Sequence, residues 1–96
     1  MMWVRKIFKY ELHLGTDTVI EIPEGSKVLK CAIQGERICL WILVYDEHEF
    51  SVPRERRRFR IYGTGHPIVQ DSEDMEYIDS VLVDGGSLVW HIFEMK

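Results

Sequence analysis

Five of the seven arginines in this chain fall within seven residues: Arg54, Arg56, Arg57, Arg58 and Arg60. Guanidinium groups match phosphate and carboxylate oxygens two at a time. In an extended segment Arg54, Arg56, Arg58 and Arg60 share one face. Such a row could hold a polyanion or a nucleotide. A solvated edge strand is the plainer reading, because charge on an edge discourages strand-to-strand aggregation. The acidic segments Asp46-Glu47-His48-Glu49 and Asp71 to Glu76 could neutralise the row locally.

Gly63-Thr64-Gly65-His66-Pro67 follows the arginines directly. Two glycines let backbone N–H groups approach a ligand and form an anion-binding nest. His66 adds a donor or an acid–base group near neutral pH. No Gly-Lys-Ser/Thr follows, so this is not a P-loop. The third glycine of a dinucleotide fingerprint is missing too. A tight loop that needs glycine only for its geometry is the plainer alternative.

Other chemistry finds little support. His13, His48, His66 and His91 lie too far from one another and from cysteine to make a local zinc site. His91, between Trp90 and Ile92, is expected to be a partly buried, hydrogen-bonded residue. No Gly-x-Ser-x-Gly elbow occurs, and Cys31 and Cys39 sit in apolar runs that disfavour thiolates. The pattern assigns no catalytic residue, metal or cofactor. A phosphodiesterase using His66 as acid–base, with arginine support, is the enzyme the residues come nearest to.

The elements that must position these residues are strands. Phe8 to Leu14 alternates apolar and polar side chains, and Thr18 to Ile22 is rich in β-branched residues. Pro23-Glu24-Gly25 is a turn, Lys27 to Gln34 a third strand, and Arg37 to Tyr45 a central strand apolar on both faces. Arg57 to Tyr62 is a short strand after a polar loop. Tyr77 to Val83 and Ser87 to Met95 are joined at Asp84-Gly85-Gly86. The expected fold is all-β: a small antiparallel sandwich or barrel of about seven strands. A hairpin centred on Gly35 would set the thiols of Cys31 and Cys39 opposite each other. Cover for both faces of the central strand would come naturally from a second subunit, so a homo-oligomer is expected.

Ninety-six residues make one domain, taken as 1–96. Sixteen acidic residues against twelve basic ones give a net charge of -4, which argues against a duplex-DNA binder. Charges interrupt the N-terminus at once, and Ile38 to Tyr45, the longest uncharged apolar stretch, is too short to cross a bilayer. A cytoplasmic protein without a membrane partner is expected.

The chain resembles an uncharacterised family of short phage and prophage proteins, nearly end to end. The resemblance rests on Tyr10-Glu11-Leu12, Ile22-Pro23-Glu24-Gly25 with Val28-Leu29, and Cys39-Leu40-Trp41. Phe59-Arg60-Ile61-Tyr62-Gly63-Thr64-Gly65-His66-Pro67-Ile68 is its most specific part, and Gly85-Gly86-Ser87-Leu88-Val89-Trp90-His91-Ile92-Phe93-Glu94 completes it. Departures fall in the Asp46 to Arg57 segment and at Asp79. The resemblance implies an anti-defence role in a host bacterial cytoplasm, by sequestering a nucleotide immune signal or by blocking a host protein. For sequestration, Arg58 and Arg60 would pair with phosphate, and Gly63, Thr64 and Gly65 would donate hydrogen bonds. His66 would add a contact, and Tyr62 or Trp41 a stacking face. The alternatives are a protein-interaction module and a small nucleotide-signal phosphodiesterase.

Overall fold

The computed structural model describes residues 4–45, 53–69 and 74–96. They form seven strands: β1 (Arg5–Leu12), β2 (Thr18–Pro23), β3 (Lys27–Gln34), β4 (Arg37–Tyr45), β5 (Arg54–Gly63), β6 (Met75–Val83) and β7 (Leu88–Met95). A single 3-10 turn, Asp84–Gly86, joins the last two. The strands make two antiparallel sheets, ordered β1-β4-β3 and β2-β5-β7-β6. The all-β expectation holds, as a small open sandwich and not a closed barrel. The segments 46–49 and 71–73, expected to be acidic loops, lie outside the described residues.

Period-two patterning explains the layers. On β4, Ile38, Leu40, Ile42 and Val44 are buried and face the second sheet. They meet Ile20 and Ile22 of β2, Phe59 of β5, Val81 of β6 and Ile92 of β7 in one core. Phe59, Ile22, Leu40, Ile42 and Ile92 are almost wholly buried; burial of each such side chain contributes about 1.5–3 kcal/mol.

Strand limits move where pairing decides them. β5 begins at Arg54, three residues before the expected strand, because β2 supplies a partner as far as Pro23↔Arg54. β1 ends at Leu12, opposite Ile38 near the start of β4, and Leu14 is left exposed.

The β3–β4 hairpin corrects one expectation. Gln34 pairs with Arg37, so the turn is centred between Gly35 and Glu36 and not on Gly35. Gly35 has φ +65° and Glu36 no positive φ, as a type II′ turn requires. The one-residue difference places Cys31 opposite Leu40 and Cys39 opposite Ala32. Cys31 therefore faces the core and Cys39 the other side of the sheet. Both thiols are free and buried.

Two β-bulges lie at facing edges. Leu29 interrupts β3 between Val28 and Lys30, and Ile78 interrupts β6 between Tyr77 and Asp79. Each shifts the side-chain alternation by one. Tyr77 and Ser80 thus share a face although they are three positions apart. So do Lys27 and Lys30.

Candidate functional site

The outer face of the four-stranded sheet collects Arg58, Arg60, Tyr62 and Thr64 of the predicted site. Phe59 points into the core, so Arg58, Arg60 and Tyr62 point away from it. Alternate residues on a strand are about 6.6 Å apart, so Arg58 to Tyr62 span about 13 Å, the scale of a nucleotide. Tyr62 starts an aromatic row across three strands. Its ring meets Phe93 edge-on at 5.8 Å, and Phe93 meets Tyr77 edge-on at 5.7 Å.

Both arginines share one carboxylate. Arg60 Nε and Nη2 donate to Asp17 at 2.7 and 2.9 Å, and Arg58 Nε lies 3.5 Å from the same group. Arg60 Nη1 also donates to the Tyr62 hydroxyl at 3.3 Å. The hydrogen bonds from Arg60, aided by the charges of Arg60 and Arg58, hold the Asp17 carboxyl below its usual range. An incoming phosphate would have to share these guanidiniums with Asp17 or displace it.

The glycine loop follows the end of β5, and its His66 ring lies on the Phe59 side of the strand beside Trp90, away from the face of Arg58, Arg60 and Tyr62. His66 N donates to Gly63 O at 3.1 Å, and Gly63 N donates to His66 Nδ1 at 3.1 Å. The imidazole folds back over Gly63, where a Cβ would sit 2.7 Å from its Cε1 and 3.1 Å from the Trp90 ring. A side chain at 63 would displace the His66 ring. Between this turn and Gly86–Trp90 lies an open cleft of about 450 Å³ lined by Gly63, Thr64, His66 and Trp90.

His91 is the histidine embedded in a side-chain network. Its Nε2 lies 2.8 Å from Thr64 Oγ1 and its Nδ1 2.8 Å from Ser80 Oγ, which is 2.7 Å from the Tyr77 hydroxyl. The chain Thr64–His91–Ser80–Tyr77 crosses β7 and β6 beside the aromatic row. Ser80 and Tyr77 carry no sequence signal, since the bulge at Ile78 brings them together. Asp17 and Phe93 reach the site only through strand pairing.

Two other residues sit apart. Trp41 lies on the outer face of the other sheet, opposite Lys9 and Lys30, away from Tyr62. Arg57 shares Phe59's side of β5 and points inward. Its Nε and Nη2 each donate to buried Glu94 at 2.7 Å, and its Nη1 donates to the Ser26 carbonyl. Burial raises the Glu94 carboxyl's pKa, but the hydrogen bonds and charge of Arg57, with Lys96, outweigh it, and the net shift is downward. Among the described residues no three His, Cys, Asp or Glu side chains come together to hold a metal.

Fold and face together define an open two-sheet β-protein with an arginine–aromatic surface on its larger sheet. The chain belongs to the family described as Domain of unknown function (DUF7352), whose model matches residues 4–96. No match emerged among curated proteins or solved structures.

Proposed function

We propose that the outer face of the four-stranded sheet binds a small phosphorylated nucleotide. The observation that carries this is the alternation of Arg58, Arg60 and Tyr62 on one face, with Tyr62 continuing into Phe93 and Tyr77. The base stacks on the aromatic row, phosphate engages the guanidinium edges, and the Thr64 hydroxyl supplies a further contact. Sequestration of a nucleotide immune signal is the role that the resemblance to phage proteins supports.

A thermal-shift screen against cyclic dinucleotides and ADP-ribose derivatives tests this. Binding should add about 2.7 kcal/mol of stability at a hundredfold excess over the dissociation constant. Tyr62→Ala should abolish the shift. Asp17→Asn should strengthen binding, since the carboxylate competes with phosphate for Arg58 and Arg60. No shift with any nucleotide would sink the proposal.

One observation favours a second activity, nucleotide-signal hydrolysis. His91, and not His66, has a hydroxyl on each ring nitrogen, the arrangement of a base between a nucleophile and an orienting group. Turnover of a bound nucleotide that is lost in His91→Gln and kept in His66→Gln would establish it.

A further inference from the structure

The three-stranded sheet presents its own cationic face, built around Trp41. Opposite residues of antiparallel strands lie on the same side of a sheet. The register therefore sets out rows across β1, β4 and β3. Lys9, Trp41 and Lys30 form one row, and Ile7, Leu43 and Lys27 the next; Arg5 stands opposite Tyr45 beyond them. Strands are about 4.8 Å apart, so the backbones of Lys9 and Lys30 bracket Trp41 across about 10 Å. The bulge at Leu29 creates this grouping, because without it Lys27 and Lys30 would point to opposite faces.

Among the described residues the charge of this face is mainly positive. Arg5, Lys9, Lys27 and Lys30 are exposed cations on it. Its acid, Glu11, is taken by Arg37 at 2.8 Å. The contact of Lys9 Nζ with Gln34 Oε1 leaves the lysine charge unneutralised. Beyond the Arg37–Glu11 pair, four exposed cations gather among the described residues of this face in a chain whose net charge is -4, with Lys27 and Lys30 at its border on the cleft that Glu76 and Asp79 also line. Between them the surface is apolar and aromatic: Ile7 is 57% exposed, and Trp41, Leu43 and Tyr45 are half-buried.

We propose that this face binds single-stranded nucleic acid, with Trp41 as a stacking surface and Lys9, Lys27, Lys30 and Arg5 along the phosphates. Charge decides the occupant. A second copy seated face to face would oppose four cations to four, and like charges brought together cost several kcal/mol. A polyanion carrying exposed planar bases satisfies both the charge and the apolar rings. A duplex offers the charge but keeps its bases stacked inside. The surface is separate from the nucleotide face and stands or falls independently of it.

Fluorescence anisotropy with labelled oligonucleotides of about eight nucleotides tests the proposal. Binding should weaken with salt, with a logarithmic slope of up to about -3 for four phosphate contacts on a single strand. Trp41→Leu should weaken it roughly ten- to hundredfold. Lys9→Glu with Lys30→Glu, both exposed, should abolish it, and keeps the test if Trp41→Leu fails to fold. Tyr62→Ala and Arg58→Ala should leave it unchanged. Absence of binding at low salt would overturn the proposal. So would equal affinity for duplex, or a solution dimer dissolved by the Lys9 and Lys30 changes.

Discussion

Replacing Arg57 with methionine leaves the Glu94 carboxylate buried beneath the sheet edge without its bidentate partner. The two side chains are only 15% and 5% exposed. Breaking such a pair by removing one member costs about 3–5 kcal/mol. The lower end is expected here, since Lys96 Nζ lies 3.7 Å from Glu94 Oε1 and offers partial compensation. The pair also borders a cleft of about 430 Å³ between β3 and β6 that admits water. A loss of about 3 kcal/mol lowers Tm by roughly 12–24 °C in a domain of this size. Adding Glu94→Leu removes the stranded charge, and the double variant should return to within about 1 kcal/mol of the parent. Urea denaturation followed by circular dichroism reads all four corners of the cycle. A single-variant loss below about 1 kcal/mol, or a double variant as weak as the sum of its parts, would refute a coupled buried pair.

Acid should destabilise the protein by the same logic. Asp17 and Glu94 both titrate lower in the folded state than their ordinary 3.8 and 4.5. Their contribution is present above those values and fades as pH falls from about 4.5 through the lower folded pKa values, which urea midpoints measured between pH 7 and pH 3 will show. Gly63→Ala should push the His66 ring off the turn and lower Tm, although φ there is not positive and alanine brings no backbone strain. An unchanged Tm, with NMR shifts of His66 also unchanged, would contradict that close packing. Neither cysteine should react rapidly with a thiol reagent in the native protein, and both should react in urea. Burial, with smaller contributions from Asp79 and Cys39, pushes the Cys31 thiol up to about 12.

Much of the architecture was legible because sheets follow a simple rule. β3 and β4 have the bounds that alternation and turn residues give them, and all seven strands occur in the expected order. The parity of the arginine run was legible too. With Phe59 inward, Arg58, Arg60 and Tyr62 must share the opposite face. The predicted site divides where parity and sheet membership divide it. Arg58, Arg60 and Tyr62 come together on the outer face of one sheet with Thr64 at its end, His66 turns to the core side beside Trp90, and Trp41 lies on the other sheet.

The sequence by itself determined the succession of strands along the chain and the composition of the arginine–glycine stretch, because these depend on near neighbours, whereas which face of the doubly apolar β4 meets the core did not follow from it. Tertiary structure alone decided the partners. Asp17 reaches Arg60 across 43 residues and Glu94 reaches Arg57 across 37, through pairings that no local pattern encodes. It also decided register, where a shift of one residue sends Cys31 and Cys39 to opposite faces. Two bulges, each a single extra residue, gather Lys27 with Lys30 and Tyr77 with Ser80. A period-two pattern assumes strict alternation, so it separates the very side chains that the folded sheet brings together.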